Sequence, residues 1–211
     1  MSLRLFGYWR SSATYRVRIA LELKQLAYDY EPVNLLKGEQ LSGEYLKRNP
    51  QGLVPTLATE EGETITQSQA IIEYLEERYP EHRVLPADAA ERAKARAIAS
   101  IIACEAQPFM NLRMQKYLKE ELQLDEAQVL DWLNKWPGGA MASVEELIDG
   151  ETFCVGERPT LADIFLIPQT FGAQRFGVDI SAMPRIMRVY EHCNTLDAFI
   201  RAHPQNQPDA A

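Results

Sequence analysis

Residues 3–25 read LRLFGYWRSSATYRVRIALELKQ, and the fold turns on this stretch. Its opening positions set Leu3, Leu5 and Gly7 against Arg4, Phe6 and Tyr8, the two-residue alternation of a half-buried strand. From Ser12 the period changes, with Val17, Ala20 and Leu21 forming one apolar set at helical spacing and Ile19, Leu23 and Leu26 a second. Between strand and helix stand Arg10, Ser11 and Ser12, and either serine is a competent helix N-cap. Loops at strand C-termini are where α/β folds hold ligands, and the helix start that follows offers free N–H groups to an anion. Arg16 and Arg18 read as the solvated face of an amphipathic helix.

Outward from this unit, residues 28–35 are strand-like and residues 42–48 form a short polar helix. Asn49, Pro50, Gln51 and Gly52 then make a turn. Residues 53–58 and 64–66 are a strand pair around Glu61 and Gly62. Ser68 then caps a helix with the stripe Ile71, Ile72, Leu75 and Tyr79. The predicted order is βαβαββα over residues 1–80. Residues 81–88 fit a linker, and residues 89–211 an all-helical domain. Within it, residues 89–121 and 125–148 are long helical patterns, interrupted by Pro108 and by Pro137, Gly138 and Gly139. Thr160 and Asp163 have capping-box spacing, residues 184–193 make a last amphipathic helix, and residues 203–211 read as a polar tail.

The 211 residues are 46% hydrophobic and 25% charged, which is ordinary globular composition. Thirty acidic against 22 basic residues leave a net charge of -8, against a general phosphate-binding surface and so against nucleic acid. No run approaches a membrane span of roughly 20 apolar residues, and Met1 leads straight into the first strand. The expectation is a cytoplasmic protein with no membrane partner. Cys104, Cys154 and Cys193 are too far apart for a disulfide framework or a metal cluster, so no metal is expected. His82, His192 and His203 are not placed to activate a serine nucleophile. The charge is locally reversed at the start: residues 1–24 hold Arg4, Arg10, Arg16, Arg18 and Lys24 against Glu22 alone.

The order βαβαββα, the Val54-Pro55 bond and the Gln67-Ser68 helix start resemble the thioredoxin-like half of a glutathione transferase. The helical remainder resembles that family's second domain. Tyr8 to Leu21 is similar to the signature of the zeta class: an arginine, two serines, a cysteine, a small residue, an aromatic residue and then Arg-Val-Arg-Ile-Ala-Leu. The likeness continues through Gln107-Pro108, Arg175-Phe176 and Gln207-Pro208-Asp209, and so spans nearly the whole chain. It implies a homodimer that uses glutathione for the cis–trans isomerisation of a maleyl-type oxo diacid, maleylacetoacetate or the closely similar maleylpyruvate. A conjugating transferase, with Tyr8 activating the thiol, and a non-catalytic stress protein are the competing readings.

The resemblance puts Ser11, Ser12 and Ala13 at the glutathione thiol, Gln40 near the glycine end and Val54 on the cysteinyl backbone. Gln67 and Ser68 fall at the γ-glutamyl group, and Val54-Pro55 is implied to be cis. Gln107 and Asn111 join the glutathione site, and their spacing of one helical turn has them face the same way. Arg10 and Arg175 would anchor the substrate carboxylates, with Arg113 a third candidate. A structural ion pair with Asp179, four residues on, is the alternative for Arg175. Ala13 stands where the family has cysteine, which removes any route through a protein mixed disulfide, reductive dehalogenation included. Isomerisation needs only the sulfur of glutathione.

Overall fold

The computed structural model describes residues 2–210, which form two compact units, one of residues 2–84 with 196–210 and one of residues 85–195. In the first, β1 (Leu3–Gly7), α1 (Ser12–Leu23), β2 (Tyr28–Pro32), α2 (Gly43–Arg48), β3 (Thr56–Ala58), β4 (Thr64–Thr66) and α3 (Ser68–Arg78) follow in the expected order. The sheet order is β2-β1-β3-β4, with β1 parallel to β2 and antiparallel to β3, and β3 antiparallel to β4. Its position inside the sheet explains why β1 carries Leu3 and Leu5 fully inward while Arg4 stays exposed. The strand must end in glycine, because a Cβ on Gly7 would stand 2.3 Å from the Thr14 methyl of α1.

α1 departs from the sequence reading. Every residue from Thr14 to Leu21 is buried, Arg16 and Arg18 included, so neither arginine lies on a solvated face. α1 packs against α3 on one side and α11 (Asp197–Ala202) on another. Val17, Ala20 and Leu21 are core, as is Ile19 of the second set, while Leu23 and Leu26 are half-buried; the arginines are enclosed. Arg18 Nε donates to the Ala202 carbonyl at 2.9 Å and Nη2 to the Trp9 carbonyl at 3.1 Å. Lys24, at the end of α1, puts its amine 2.9 Å from Glu76, and at 3.3 and 3.5 Å from the Glu81 and His82 carbonyls, which ties the segment after α3 back to the helix.

Three further differences concern ends of elements. Ser68 is not the cap of α3 but its first residue, and Gln67 takes the cap position at φ 70°. A helix, α11, follows residues 184–193; it is too short to show a period, yet Phe199 and Ala202 are completely buried. Residues 196–210, read from sequence as part of the end of the helical domain, pack instead with the first unit, and residues 203–210 fold into turns rather than a tail. Ala211 lies outside the described residues.

The second unit comprises α4 (Ala89–Ile101), α5 (Gln107–Met110), α6 (Leu112–Lys116), α7 (Glu126–Leu133), α8 (Gly139–Leu147), α9 (Leu161–Phe176) and α10 (Pro184–Cys193). α9 is its axis, buried from Leu161 to Thr170 and packed against α4. It opens with the expected capping box, in which the Asp163 carboxylate also accepts from the Cys154 N–H at 2.8 Å. The helical pattern widens into π turns over Ile102–Ala106, just ahead of Pro108, and over Asn134–Gly138, which contains Pro137. A third π turn, Tyr117–Glu121, has no proline, and α9 carries Pro168 in its interior without one. No helix among the described residues is long and apolar enough to cross a membrane.

Replacing Arg18 by Met strips donors from two buried carbonyls. A loss of roughly 2–5 kcal/mol in unfolding free energy is expected, read from the urea midpoint at unchanged slope. A loss under about 1 kcal/mol would mean that the two carbonyls find other donors.

Candidate functional site

The chain leaves β1 at Gly7, turns through Tyr8, Trp9 and Arg10, and enters α1 at Ser11. Ser11 is the N-cap, with its hydroxyl oxygen accepting from the Thr14 N–H at 3.2 Å and its carbonyl from the Tyr15 N–H at 2.9 Å. Capping uses the Ser11 oxygen as an acceptor, which leaves its O–H proton free to donate elsewhere. Ser12 and Ala13 follow in the first turn, where backbone N–H groups have no intrahelical acceptor and the helix dipole favours negative charge. Arg10 is exposed, its guanidinium 4.1 Å from the centre of the Trp9 ring. Tyr8 and Trp9 pack edge to face and share a core cluster with Val54. Beside them opens a cleft of about 430 Å³ lined by Tyr8, Trp9, Arg10, Asn34, Leu36 and Asp209, among others.

A second helix start faces the same chemistry. Gln67 holds φ 70° and ψ 118°, a conformation that side-chain-bearing residues rarely adopt, and its amide donates to Gln51 Oε1 at 2.7 Å. Strain at a single residue persists only where its surroundings impose it, and such residues gather at ligand sites. Ser68, next along, is buried, with Arg16 Nη1 3.4 Å from its hydroxyl. A cation thus sits behind the first turn of α3. Arg16 was missed as a site residue because an arginine at helical spacing looks like surface. The signal available was the second apolar set on α1, which leaves that helix no solvated face.

Val54 precedes β3 through a cis bond to Pro55, as the resemblance implied. The carbonyl just before it, of Leu53, accepts from the Tyr45 hydroxyl at 2.7 Å and from the Asn49 amide at 2.8 Å. Gly52 allows a close approach here, since a Cβ on it would lie 3.3 Å from the Gln40 carbonyl, and its φ is 62°. Gln40, in a short 3₁₀ turn, has its side-chain oxygen buried without a hydrogen-bond partner among the described residues. Arg10, Ser11, Ser12, Ala13, Gln40, Val54, Gln67 and Ser68 all belong to the first unit.

Gln107, Asn111, Arg113 and Arg175 belong to the second. The expectation that Gln107 and Asn111 share a helix face fails. The helix breaks after Met110, and Asn111 is extended at ψ 162° and caps α6 by accepting from the Met114 N–H at 2.9 Å. Asparagine is a strong N-cap, and a new helix starting at it outcompetes one continuous helix through Pro108. Arg113 is exposed on α6. Arg175 is exposed in the last turn of α9, its guanidinium 4.5 Å from the centre of the Phe176 ring. Gly177 ends α9 at φ 73°, so Asp179 is not on the same helix, and its carboxylate accepts from the Ser181 N–H at 3.0 Å and hydroxyl at 2.7 Å.

Residues 10–78 match the family model described as glutathione S-transferase, N-terminal domain, and residues 112–197 that of the C-terminal domain. The solved holo structure of maleyl pyruvate isomerase, a bacterial glutathione S-transferase in the zeta class, is 41% identical with a TM-score of 0.94, covering 99% of this chain and all of its own. This chain belongs to the zeta class of the glutathione S-transferase family. Among other members, the maleylacetoacetate isomerase of Pseudomonas aeruginosa is 47% identical over 98% of both chains. The maleylacetoacetate isomerase of Methylobacterium extorquens AM1, solved with bound malonate and glutathione, is 37% identical with a TM-score of 0.92 over 99% of each chain.

Ala13 gives this zeta-class chain no thiol at the helix start, and its three cysteines lie elsewhere. Cys154 and Cys193 are buried, and burial, with Asp163 nearby, pushes both thiols up from their ordinary value, whereas Cys104 is exposed. Iodoacetamide at neutral pH should therefore label Cys104 alone in the native protein and all three cysteines after unfolding, as read by peptide mass. Native labelling of Cys154 or Cys193 would contradict the packing around α9.

Proposed function

We propose that this chain isomerises maleylacetoacetate to fumarylacetoacetate with glutathione as the cofactor, maleylpyruvate being the closest alternative substrate. The observation that carries the reading is the Ser11 cap. A hydroxyl whose oxygen already serves Thr14 keeps its proton for a thiolate, at a helix start with unpaired N–H groups. The relatives at 47% and 41% identity bear the names of these two isomerases, and a third was solved with glutathione and a small dicarboxylate.

A free thiol has a pKa of about 8.5, so only a few per cent is thiolate at neutral pH. A serine hydrogen bond and the α1 dipole lowering it by about one to two units correspond to about 1.4–2.7 kcal/mol. The thiolate adds to the activated double bond, and its electron pair passes to the conjugated carbonyl. The bond between the two carbons, now single, rotates. The pair then returns, expels the thiolate and leaves the trans alkene, with no proton or electron consumed. Val54 would pair with the cysteinyl backbone, Gln40 with the glycine end, and Gln67, Ser68, Gln107 and Asn111 with the rest of glutathione. Arg16 adds positive charge behind Ser68, where the γ-glutamyl carboxylate would bind. Arg10 and Arg175 would take the substrate carboxylates by charge-assisted bonds worth about 1.5–3 kcal/mol each. The exposed Tyr117, Leu122 and Trp136 support a homodimer, and micromolar sedimentation at the mass of a monomer would count against it.

Two kinetic measurements test the reading. Replacing Ser11 by Ala should raise the pH midpoint of the rate by about one unit, so that addition slows about tenfold at neutral pH and recovers as pH rises. Tyr8→Phe should change little. A loss with Tyr8→Phe and none at Ser11 or Ser12 points instead to a tyrosine-type conjugating transferase. Arg10→Met or Arg175→Met should lower kcat/KM for the diacid about ten- to a hundredfold and leave glutathione affinity unchanged. No turnover of either diacid or of halogenated electrophiles would favour a non-catalytic protein.

A further inference from the structure

In the turn between β1 and α1 the backbone N–H and carbonyl of both Tyr8 and Trp9 are hydrogen-bonded, and the two partners of Trp9 come from farther along the chain. The Tyr8 N–H donates to the Thr14 hydroxyl at 3.4 Å, and the Tyr8 carbonyl accepts from the Ser11 N–H at 2.9 Å. The Trp9 carbonyl accepts from buried Arg18, and the Trp9 N–H donates to Asp209 Oδ2 at 3.1 Å, across 200 positions of sequence. The same oxygen accepts from the Tyr30 hydroxyl at 3.3 Å. Asp209 is itself held by an ordered segment. Gln207 donates through its side chain to the Arg201 and His203 carbonyls at 2.9 and 3.0 Å, and the Ala210 N–H closes onto Gln207 at 3.0 Å. Asp209 and Arg10 line the same cleft, and Arg10 rests on the Trp9 ring.

We propose that Asp209 is a positioning residue for Arg10 and Ser11: through the Trp9 amide it sets the turn from which one projects toward substrate and the other toward the thiol. This rests on the reading of Arg10 as carboxylate anchor and Ser11 as thiol donor. On this proposal Asp209 acts through the Trp9 amide and not on the reacting atoms. A charged acceptor on a backbone amide makes a stronger bond than a neutral one, and it fixes the Tyr8–Trp9 peptide, one unit ahead of the Trp9–Arg10 peptide whose carbonyl Arg18 holds. A reacting group misplaced by about 1 Å costs on the order of a hundredfold in rate, so a bond remote in sequence has leverage on turnover. The inference is specific about which quantity moves. The diacid should be affected, and the glutathione contacts at Val54, Gln67 and Ser68 should not, because they hang on β3 and α3.

The test compares Asp209→Ala, Asp209→Asn and Arg10→Met in the full-length enzyme by two readouts: hydrogen exchange at the Trp9 amide, and kinetics per folded molecule. Asp209→Ala should speed Trp9 exchange at least about tenfold and lower kcat/KM for the diacid by about tenfold, with the KM for glutathione within about twofold of wild type. Asp209→Asn keeps a carbonyl acceptor and should restore both quantities to within about threefold. Unchanged Trp9 exchange in Asp209→Ala overturns the clamp whatever the substrate. Faster exchange with unchanged diacid kinetics overturns the positioning role, as does an equal loss for glutathione and diacid. If Asp209→Ala does not fold, Asp209→Glu moves the oxygen by one methylene and reads the same two quantities. An Arg10→Met variant with full isomerase activity refutes the substrate reading instead, and Trp9 exchange then decides the clamp by itself.

Discussion

The Arg18 guanidinium, wholly enclosed, holds the carbonyl of the turn ahead of α1 and the carbonyl that ends α11, and the first unit is organised around this bridge. Burial draws its pKa down from the ordinary value, while Tyr30, Tyr28, Tyr15 and Asp209 push it back. Arginine suits the place because its planar fork sends donors in diverging directions and remains charged. A lysine amine on one flexible stem would serve one carbonyl and leave the other unpaired. Through Arg18 the packing of the last residues of the chain becomes a condition on the backbone of the first loop.

That loop is one of two helix starts in the first unit with a serine and electropositive surroundings. At α1 the serine hydroxyl caps and still has a proton; at α3 the serine is buried, and Arg16, reaching across from α1, stands beside it. One helix therefore supplies both its own N-terminus and, from its interior, the cation behind the start of α3. The departure of Gln67 from ordinary backbone geometry falls at the second of these starts, where its side chain donates to Gln51 from the turn before β3. Ala13 fits this division of labour. The chemistry of thiolate addition and elimination takes place on a sulfur brought by the cofactor, so a protein thiol is dispensable for it.

In the second unit the prolines shape the chain more than they break it. π turns stand near Pro108 and at Pro137, and α9 runs unbroken from Leu161 to Phe176 although Pro168 lies inside it, with Asp163 and Thr160 closing its first turn. Asn111 illustrates how a short polar residue redirects a helix. By capping α6 it ends one run and begins another, and residues that share a face in a continuous helix come to belong to different ones.

Much of this was legible along the chain. The two-residue and helical periods, the turn residues around Gly52 and Gly62 and the capping spacing at Thr160 are local signals, and they specify the order of elements and the loop that carries Arg10, Ser11 and Ser12. The signature around those serines pointed to the family because its residues stand together in one short run of sequence, although two of them, Arg16 and Arg18, act on distant partners. What tertiary structure decided is burial and long-range pairing. Arg16 and Arg18 look like surface until α1 is enclosed on more than one side. Asp209 looks like a tail residue until the chain folds back onto Trp9, and Phe199 and Ala202 form too short a run to show a period. A hydrogen bond spanning 200 positions leaves no local pattern in the sequence, because its donor is a backbone amide that every residue but proline possesses.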